Sequence, residues 1–167
     1  MILGTIHPEM ASKLITLVNT VFTRALNVFG DDPLWKGQEG AYFCFASMKK
    51  GLPLVFTPVG DVAIEKAEKY VAFSMEKARR LAQHPEHVSS FQSRNPPEQW
   101  GGAIHVGGNI FSMSGLPELG DEAVMLVTAF MFFPKLEEVR VACNAIAQTS
   151  ENPFFRPLVD SIKKSGL

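Results

Sequence analysis

Two histidines, spaced three residues apart, are the first candidates for ligand chemistry in this chain. His84 and His87 lie in the segment His84-Pro85-Glu86-His87, and imidazoles bind transition metals and titrate near neutral pH. The segment follows a predicted helix, so an alternative is that both histidines interact with the helix C-terminus at the surface. The spacing alone matches no zinc motif, and we therefore assign no metal site.

His105 is the third candidate, and it lies in the short apolar segment Ala103-Ile104-His105-Val106. This segment predicts a strand, in which the side chain of His105 shares a face with Ala103 and is half buried. Two roles stay open for His105. It is either a hydrogen-bonded core histidine or an axial ligand held on a rigid strand.

A second group of polar residues surrounds the turn at Gly115. If a helix opens at Asp121, its free backbone amides can bind an anion such as the carboxylate of a propionate or a small acid. The alternative is that the group only forms the turn and caps the helix. No serine lies in a G-x-S-x-G elbow, so serine hydrolase chemistry has no support. The candidate ligand-binding residues of this group are Ser112, Ser114, Gly115, Asp121 and Glu122.

The elements that must position these residues are helices and hairpins. Apolar residues at three- and four-residue steps predict helices, and alternating apolar residues bounded by glycine predict strands. Asp61 is the expected N-cap of the second helix, and Gly107-Gly108 forms a hairpin turn. The predicted helices cover 8–29, 61–83, 121–133, about 135–147 and a short terminal segment at 154–164. The predicted strands cover 41–48, 52–59 (an edge strand), 103–106 and 109–114.

The resulting order, α-β-β-α-β-β-α-α, predicts an α/β (α+β) fold with an antiparallel sheet and helices packed against it. The 167 residues fit a single domain over 1–167. Segment 84–100 is irregular and contains three prolines, and such long connections often cover a site. Helix 121–133 is apolar on all sides, so it is buried or packs against another subunit.

Composition excludes several classes of function. The net charge is −1, with 16 basic and 17 acidic side chains, so there is no support for nucleic-acid binding. The longest apolar stretch, 123–133, is too short to cross a membrane. Cys44 and Cys143 lie among apolar residues and are expected to be small buried hydrophobes. The N-terminus lacks a signal-peptide pattern, and we expect a cytoplasmic protein.

Two segments carry a resemblance to a known family. The first is the helical run Glu76-Lys77-Ala78-Arg79-Arg80-Leu81-Ala82. The second runs from Trp100-Gly101-Gly102 through a strand, a turn and a strand ending in Ser114-Gly115-Leu116-Pro117, and then to Asp121-Glu122-Ala123. This pattern is similar to the GlcG-like, HbpS-type haem-binding and haem-degrading family. The resemblance covers about residues 40–130 and leaves the helices of 135–164 as additions.

The resemblance implies a profilin-like fold, in which helices flank an antiparallel sheet, and assembly into dimers or larger oligomers. It also implies binding of haem or a related tetrapyrrole, with His84, His87 and His105 as the available ligands. The alternative is a non-catalytic oligomeric module that binds a small organic acid or a protein partner through the Ser-Gly-Leu-Pro edge. Whether the protein is an enzyme stays open at this point.

Overall fold

A computed structural model describes residues 6–166 of the chain and shows a mixed α/β fold. Four strands form one sheet, and five α-helices pack around it. A single 3-10 turn, Ser90–Ser93, interrupts the connection between the second helix and the third strand. The elements in chain order are α1 (Pro8–Phe29), β1 (Gly40–Ser47), β2 (Pro53–Gly60), α2 (Ile64–Gln83), β3 (Ala103–Val106), β4 (Asn109–Ser114), α3 (Glu118–Phe132), α4 (Glu137–Thr149) and α5 (Phe155–Lys164).

The sheet is antiparallel throughout, with the strand order β2-β1-β4-β3. Two hairpins, β1–β2 and β3–β4, are joined along β1 and β4, where Tyr42 lies opposite Ser114 and Cys44 opposite Ser112. The prediction that the second strand is an edge strand is confirmed. Because β4 is a central strand, its C-terminal end is held between β1 and β3 and directs the chain into α3.

The two faces of the sheet have different cores. Helix α2 covers one face through small side chains, which lets the helix lie close to the strands. Residues Cys44, Ala46, Ala78, Leu81, Ala103 and Ile110 form this smaller core. The opposite face carries larger side chains such as Phe43, Phe111 and Met113, which pack against the C-terminal helices and α1. The burial predicted for Cys44 and Cys143 is confirmed, and both thiols are free.

Helix α3 is buried within one chain. Every residue from Gly120 to Ala129 is buried, and α1, α4, α5 and the sheet surround the helix. The apolar character of this segment is therefore satisfied without a partner subunit. Within residues 6–166, none of the helices has both the length and the apolarity needed to cross a bilayer.

Three sequence predictions need correction. The predicted order omits the terminal helix: the helix predicted at 154–164 is present as α5, where it buries Phe155 and Leu158, so the order ends in three helices. Asp61 is not an N-cap; its N–H donates to the Glu39 carbonyl and extends the β1–β2 pairing, so α2 begins only after Ala63. Helix α3 begins at Glu118 and not at Asp121.

The glycine inside the first turn of α3 has a steric explanation. A glycine inside a helix is usually unfavourable, and the sequence therefore indicates a turn as far as Gly120. In the structure a β-carbon at Gly120 would lie 2.7 Å from the Trp35 ring. Glycine is required here because α3 packs closely against that indole.

Candidate functional site

A polar cleft of about 390 Å³ opens where α2, the end of β4 and the start of α3 meet. The turn Ser114-Gly115-Leu116-Pro117 forms one wall, and α2 forms the other. Clefts of this volume fall in the lower part of the range that binds small molecules. The lining residues are Leu34, Gln38, Lys69, Tyr70, Phe73, Lys77, Trp100, Ser114, Gly115, Leu116, Pro117, Glu118 and Asp121.

A buried ion pair lies in the wall of the cleft. Lys77 Nζ on α2 donates to Asp121 Oδ2 on α3 at 2.9 Å and to the Met113 carbonyl on β4 at 2.7 Å. Both side chains are only 2% exposed. Asp121 Oδ1 accepts the backbone N–H of Leu116 at 3.0 Å. The pair therefore ties α2, the sheet and α3 together where the cleft forms.

The ammonium group of Lys77 has one N–H left for another acceptor. A lysine carries three N–H donors. Among the described residues, Met113 and Asp121 accept two of them. Burial raises the pKa of the Asp121 carboxyl, and the charge of Lys77 and the hydrogen bond from Leu116 offset part of that rise.

Gly102 lets the backbone pass directly beside this ion pair. Its φ of +117° is one that residues with a β-carbon rarely adopt. A β-carbon at this position would lie 2.7 Å from Asp121 Cβ and 2.8 Å from Lys77 Nζ. The neighbouring Gly101 donates its N–H to Glu118 Oε2 at 2.8 Å. The double glycine thus lets the chain pass close to the ion pair and to the start of α3.

The irregular segment 84–100 is held against α2 by Arg80. Its guanidinium donates to the Ser90 carbonyl at 2.8 Å, to Ser93 Oγ at 2.7 Å and to the Trp100 carbonyl at 2.6 Å. Glu76 accepts a further bond from Arg80 Nε at 2.6 Å. Arg80 therefore places Trp100 at the edge of the cleft.

The charges around the cleft leave one cation unpaired. Glu118 pairs with Arg94 at 3.1 Å, and Asp121 pairs with Lys77. Lys69 has no ionic partner among residues 6–166; its Nζ lies 5.9 Å from the centre of the Phe73 ring. The lining therefore favours an anionic ligand at the Lys69 side of the cleft.

Tyr70 adds a neutral hydroxyl to the same wall. Its Oη donates to Gln38 Oε1 at 3.3 Å. Burial, followed by the nearby charge of Asp121, raises the pKa of the Tyr70 phenol. The phenol stays protonated near neutral pH, and its single O–H can donate to a carboxylate ligand only in place of Gln38.

The structure brings together three of the residues that the sequence singles out around the Gly115 turn. Ser114, Gly115 and Asp121 line the cleft. Ser112 does not, because it lies beneath α2 and donates to the Ser74 carbonyl at 2.7 Å. Glu122 is also absent from the lining and is fully buried on another side of α3.

Glu122 belongs to a separate polar network. It accepts hydrogen bonds from Ser89 Oγ and Ser150 Oγ, and from Asn152 Nδ2 at 3.0 Å. Burial raises the pKa of the Glu122 carboxyl, and these three donors offset part of the rise. The network joins α3 to the segment before β3 and to the end of α4.

None of the three candidate histidines lines the cleft. His84 and His87 follow the C-terminus of α2, with their rings stacked at 4.9 Å. His105 lies on the edge strand β3, and burial lowers its pKa. His84 borders another groove, of about 520 Å³, whose lining mixes polar residues such as Glu76 and Arg79 with Ala72 and Met75.

These surroundings do not fit a haem pocket. A porphyrin needs apolar walls on both faces, as cofactor sites generally provide. The groove beside His84 is lined largely by charged and amide residues, with Ala72 and Met75 as its apolar members, and His105 borders none of the grooves described above. We therefore derive no chemistry from a haem group.

Sequence reasoning missed the α2 side of the cleft. Lys77, Tyr70 and Lys69 were not among the candidates, although Lys77 falls three residues after Ser74 and four before Leu81. That spacing places it on the buried stripe of the helix, and a lysine there requires a partner. The signal was thus present in the sequence.

Comparison with protein-family models, with curated proteins and with solved structures finds no match. The fold and the cleft define the protein as an α/β domain with an antiparallel four-stranded sheet and a polar cleft at the end of its central strand. Membership of the GlcG-like family stays a prediction that rests on the motifs.

Proposed function

We propose that this protein is a binding module for a small organic acid, which enters the cleft beside the Ser114–Pro117 turn. The observation that carries the proposal is Lys77, a buried lysine that lines the cleft and whose ammonium donates to only two acceptors among the described residues. Lys69 and the Tyr70 hydroxyl extend this donor set along α2. The cleft volume of about 390 Å³ is sufficient for a small organic acid.

The ligand class follows from charge. The cleft carboxylates, Glu118 and Asp121, are each paired with a cation, so they do not repel a second anion as free carboxylates would. A carboxylate placed at Lys69 forms an ion pair as well as a hydrogen bond, whereas an amide or an alcohol of the same size accepts the hydrogen bond without an opposite charge. We therefore expect acids to bind and their amides not to bind.

The experiment is a titration of the full chain with short hydroxy- and dicarboxylic acids, followed by amide chemical shifts and by calorimetry. Lys69→Ala and Tyr70→Phe should each weaken binding about three- to tenfold, as expected for one lost polar contact. Lys66→Ala is the matched control, because Lys66 is exposed on the same helix and does not line the cleft. Equal binding of acids and amides, or shifts that avoid the cleft, would refute the proposal.

The remaining implications of the family resemblance are part of this proposal. They are a profilin-like arrangement of the sheet and helices and assembly of the chain into dimers or larger oligomers. The cytoplasmic location that the sequence predicts is also part of the proposal. Two free buried thiols fit a reducing compartment. Light scattering coupled to gel filtration tests the oligomeric state, and a single species with the mass of one chain would contradict it.

Haem binding stays the competing prediction, carried by the motifs alone. Its test is a haem titration followed by absorbance, with His84→Ala, His87→Ala and His105→Ala, and with His7→Ala as the control. A saturable Soret shift lost in one of the three variants would support haem binding over the acid proposal. A linear response equal to that of the blank would remove the haem hypothesis.

A further inference from the structure

Three potential metal ligands meet in the turn that follows α2. Glu86 Oε1 lies 3.1 Å from His84 Nδ1 and 3.7 Å from His87 Nε2. Donor atoms of all three residues lie within 4.8 Å of one another. The two imidazole rings are nearly parallel, with an interplanar angle of 17°.

These separations match those of a tetrahedral metal site. Zinc bonds to nitrogen and oxygen are about 2.0–2.1 Å long, so adjacent ligand atoms in a tetrahedron are about 3.3 Å apart. The two measured edges, 3.1 and 3.7 Å, lie on either side of that value. The two imidazole nitrogens lie within 4.8 Å of each other, and the side chains of His84 and His87 are partly exposed and can turn to shorten that distance.

The backbone of the turn is fixed at both ends. The His84 N–H donates to the Leu81 carbonyl at the end of α2, and the His87 N–H donates to the His84 carbonyl at 2.9 Å. Val88 accepts the N–H of His105 on β3 at 2.9 Å. The ligands therefore project from a turn that is already ordered, which lowers the entropic cost of binding.

We propose that His84, Glu86 and His87 form a binding site for a divalent transition-metal ion of the zinc class. Two imidazoles and one carboxylate are a ligand set that Zn²⁺, Co²⁺ and Ni²⁺ accept. The set leaves a coordination position open for water or for an external ligand. The site is separate from the acid-binding cleft, so either proposal can fail without the other.

The second coordination shell sets the expected strength of binding. Metal-bound histidines usually donate their other ring N–H to an acceptor, which orients the ring. The Nδ1 atom of His87 is buried without a hydrogen-bond partner among the described residues. We therefore expect binding about 10- to 100-fold weaker than at a zinc site whose histidines are all oriented in this way.

The test is a titration of the full chain with Co²⁺, followed by its visible absorption, and then displacement of Co²⁺ by Zn²⁺. His84→Ala and His87→Ala should each weaken binding about tenfold or more, and Glu86→Gln should also weaken it. His7→Ala is the matched control, because His7 and Glu9 form an exposed pair at 4.0 Å without a second imidazole. Circular dichroism verifies that each variant is folded.

We expect each chain to bind one Co²⁺ ion saturably. Zn²⁺ should displace this ion, and only the three site variants should weaken its binding. Binding that is unsaturable, or that is equally strong in the histidine variants and in His7→Ala, would overturn the proposal. If the protein binds metal at this site but no acid in the cleft, the metal-site proposal is supported and the proposed function is refuted.

Discussion

Replacing Lys77 by methionine removes the cation of the buried ion pair and keeps an unbranched side chain in α2. Loss of one partner of a buried ion pair lowers the free energy of unfolding by about 3–5 kcal/mol, because the other charge stays buried without a partner. Asp121 keeps the N–H of Leu116 at 3.0 Å, which offsets part of that cost. We therefore expect Lys77→Met to lower the free energy of unfolding by about 3 kcal/mol at neutral pH.

The cost of Lys77→Met should depend on pH. Burial already raises the pKa of Asp121 above its ordinary value of 3.8, and removal of Lys77 raises it further. A carboxyl group whose pKa is higher in the folded than in the unfolded state contributes its full stability below the pKa of the unfolded state. That contribution is lost as the pH rises through the pKa of the folded state. The penalty should thus be small near pH ~4 and grow toward pH ~7.

Urea unfolding followed by circular dichroism measures these effects in a double-mutant cycle. In Lys77→Met/Asp121→Asn both charges are removed, and the new amide oxygen still accepts from Leu116. We expect this double variant to lie within about 1 kcal/mol of the wild type. Lys66→Met, on the exposed face of α2, should change stability by no more than about 0.5 kcal/mol. A double variant as unstable as Lys77→Met at neutral pH would refute the reasoning.

Three further predictions concern other buried polar groups. Burial raises the pKa of Glu122 above its ordinary value of 4.5. The free energy of unfolding of the wild type should therefore fall relative to that of Glu122→Gln as the pH rises above that value. A difference in urea titrations that does not depend on pH would contradict this. Arg80→Ala should lower the free energy of unfolding by about 3 kcal/mol and speed proteolysis within residues 84–100. Mass spectrometry measures the cleavage, and an unchanged cleavage rate would disprove the role of Arg80. Burial raises the pKa of both Cys44 and Cys143 to about 12, so neither thiol should react with a thiol reagent until urea is added.

The strands and the first helix were predictable because local signals determine them. Gly107-Gly108 supplies the positive φ values that the β3–β4 hairpin needs, and the predicted strands 103–106 and 109–114 are confirmed. The apolar stripe of 8–29 likewise predicts α1 with its observed bounds. The start of α3 was not predictable in this way, because close packing of Trp35 on Gly120 is a long-range contact.

The candidate site was predictable only in part, because adjacent residues of a helix point in different directions. Asp121 and Glu122 are neighbours in the sequence, yet successive helical residues are rotated by about 100°. Asp121 therefore faces Lys77 and the cleft, whereas Glu122 faces Ser89 and Ser150. Ser112 and Ser114 share one face of β4, but α2 covers the first and leaves the second at the cleft.

The Lys77–Asp121 pair links stability to the proposed function. A buried ion pair is weak support for stability, since apolar or neutral replacements of both partners are often tolerated. An acid-binding role would explain why the pair lies in the cleft wall and why one donor of the Lys77 ammonium has no acceptor among the described residues. Lys77→Met/Asp121→Asn separates the two roles, because it removes the donor and leaves no unpaired charge. If this double variant stays folded and loses acid binding, the ion pair contributes to ligand binding. If it binds acids as the wild type does, the N–H donor on Lys77 is not part of the binding site.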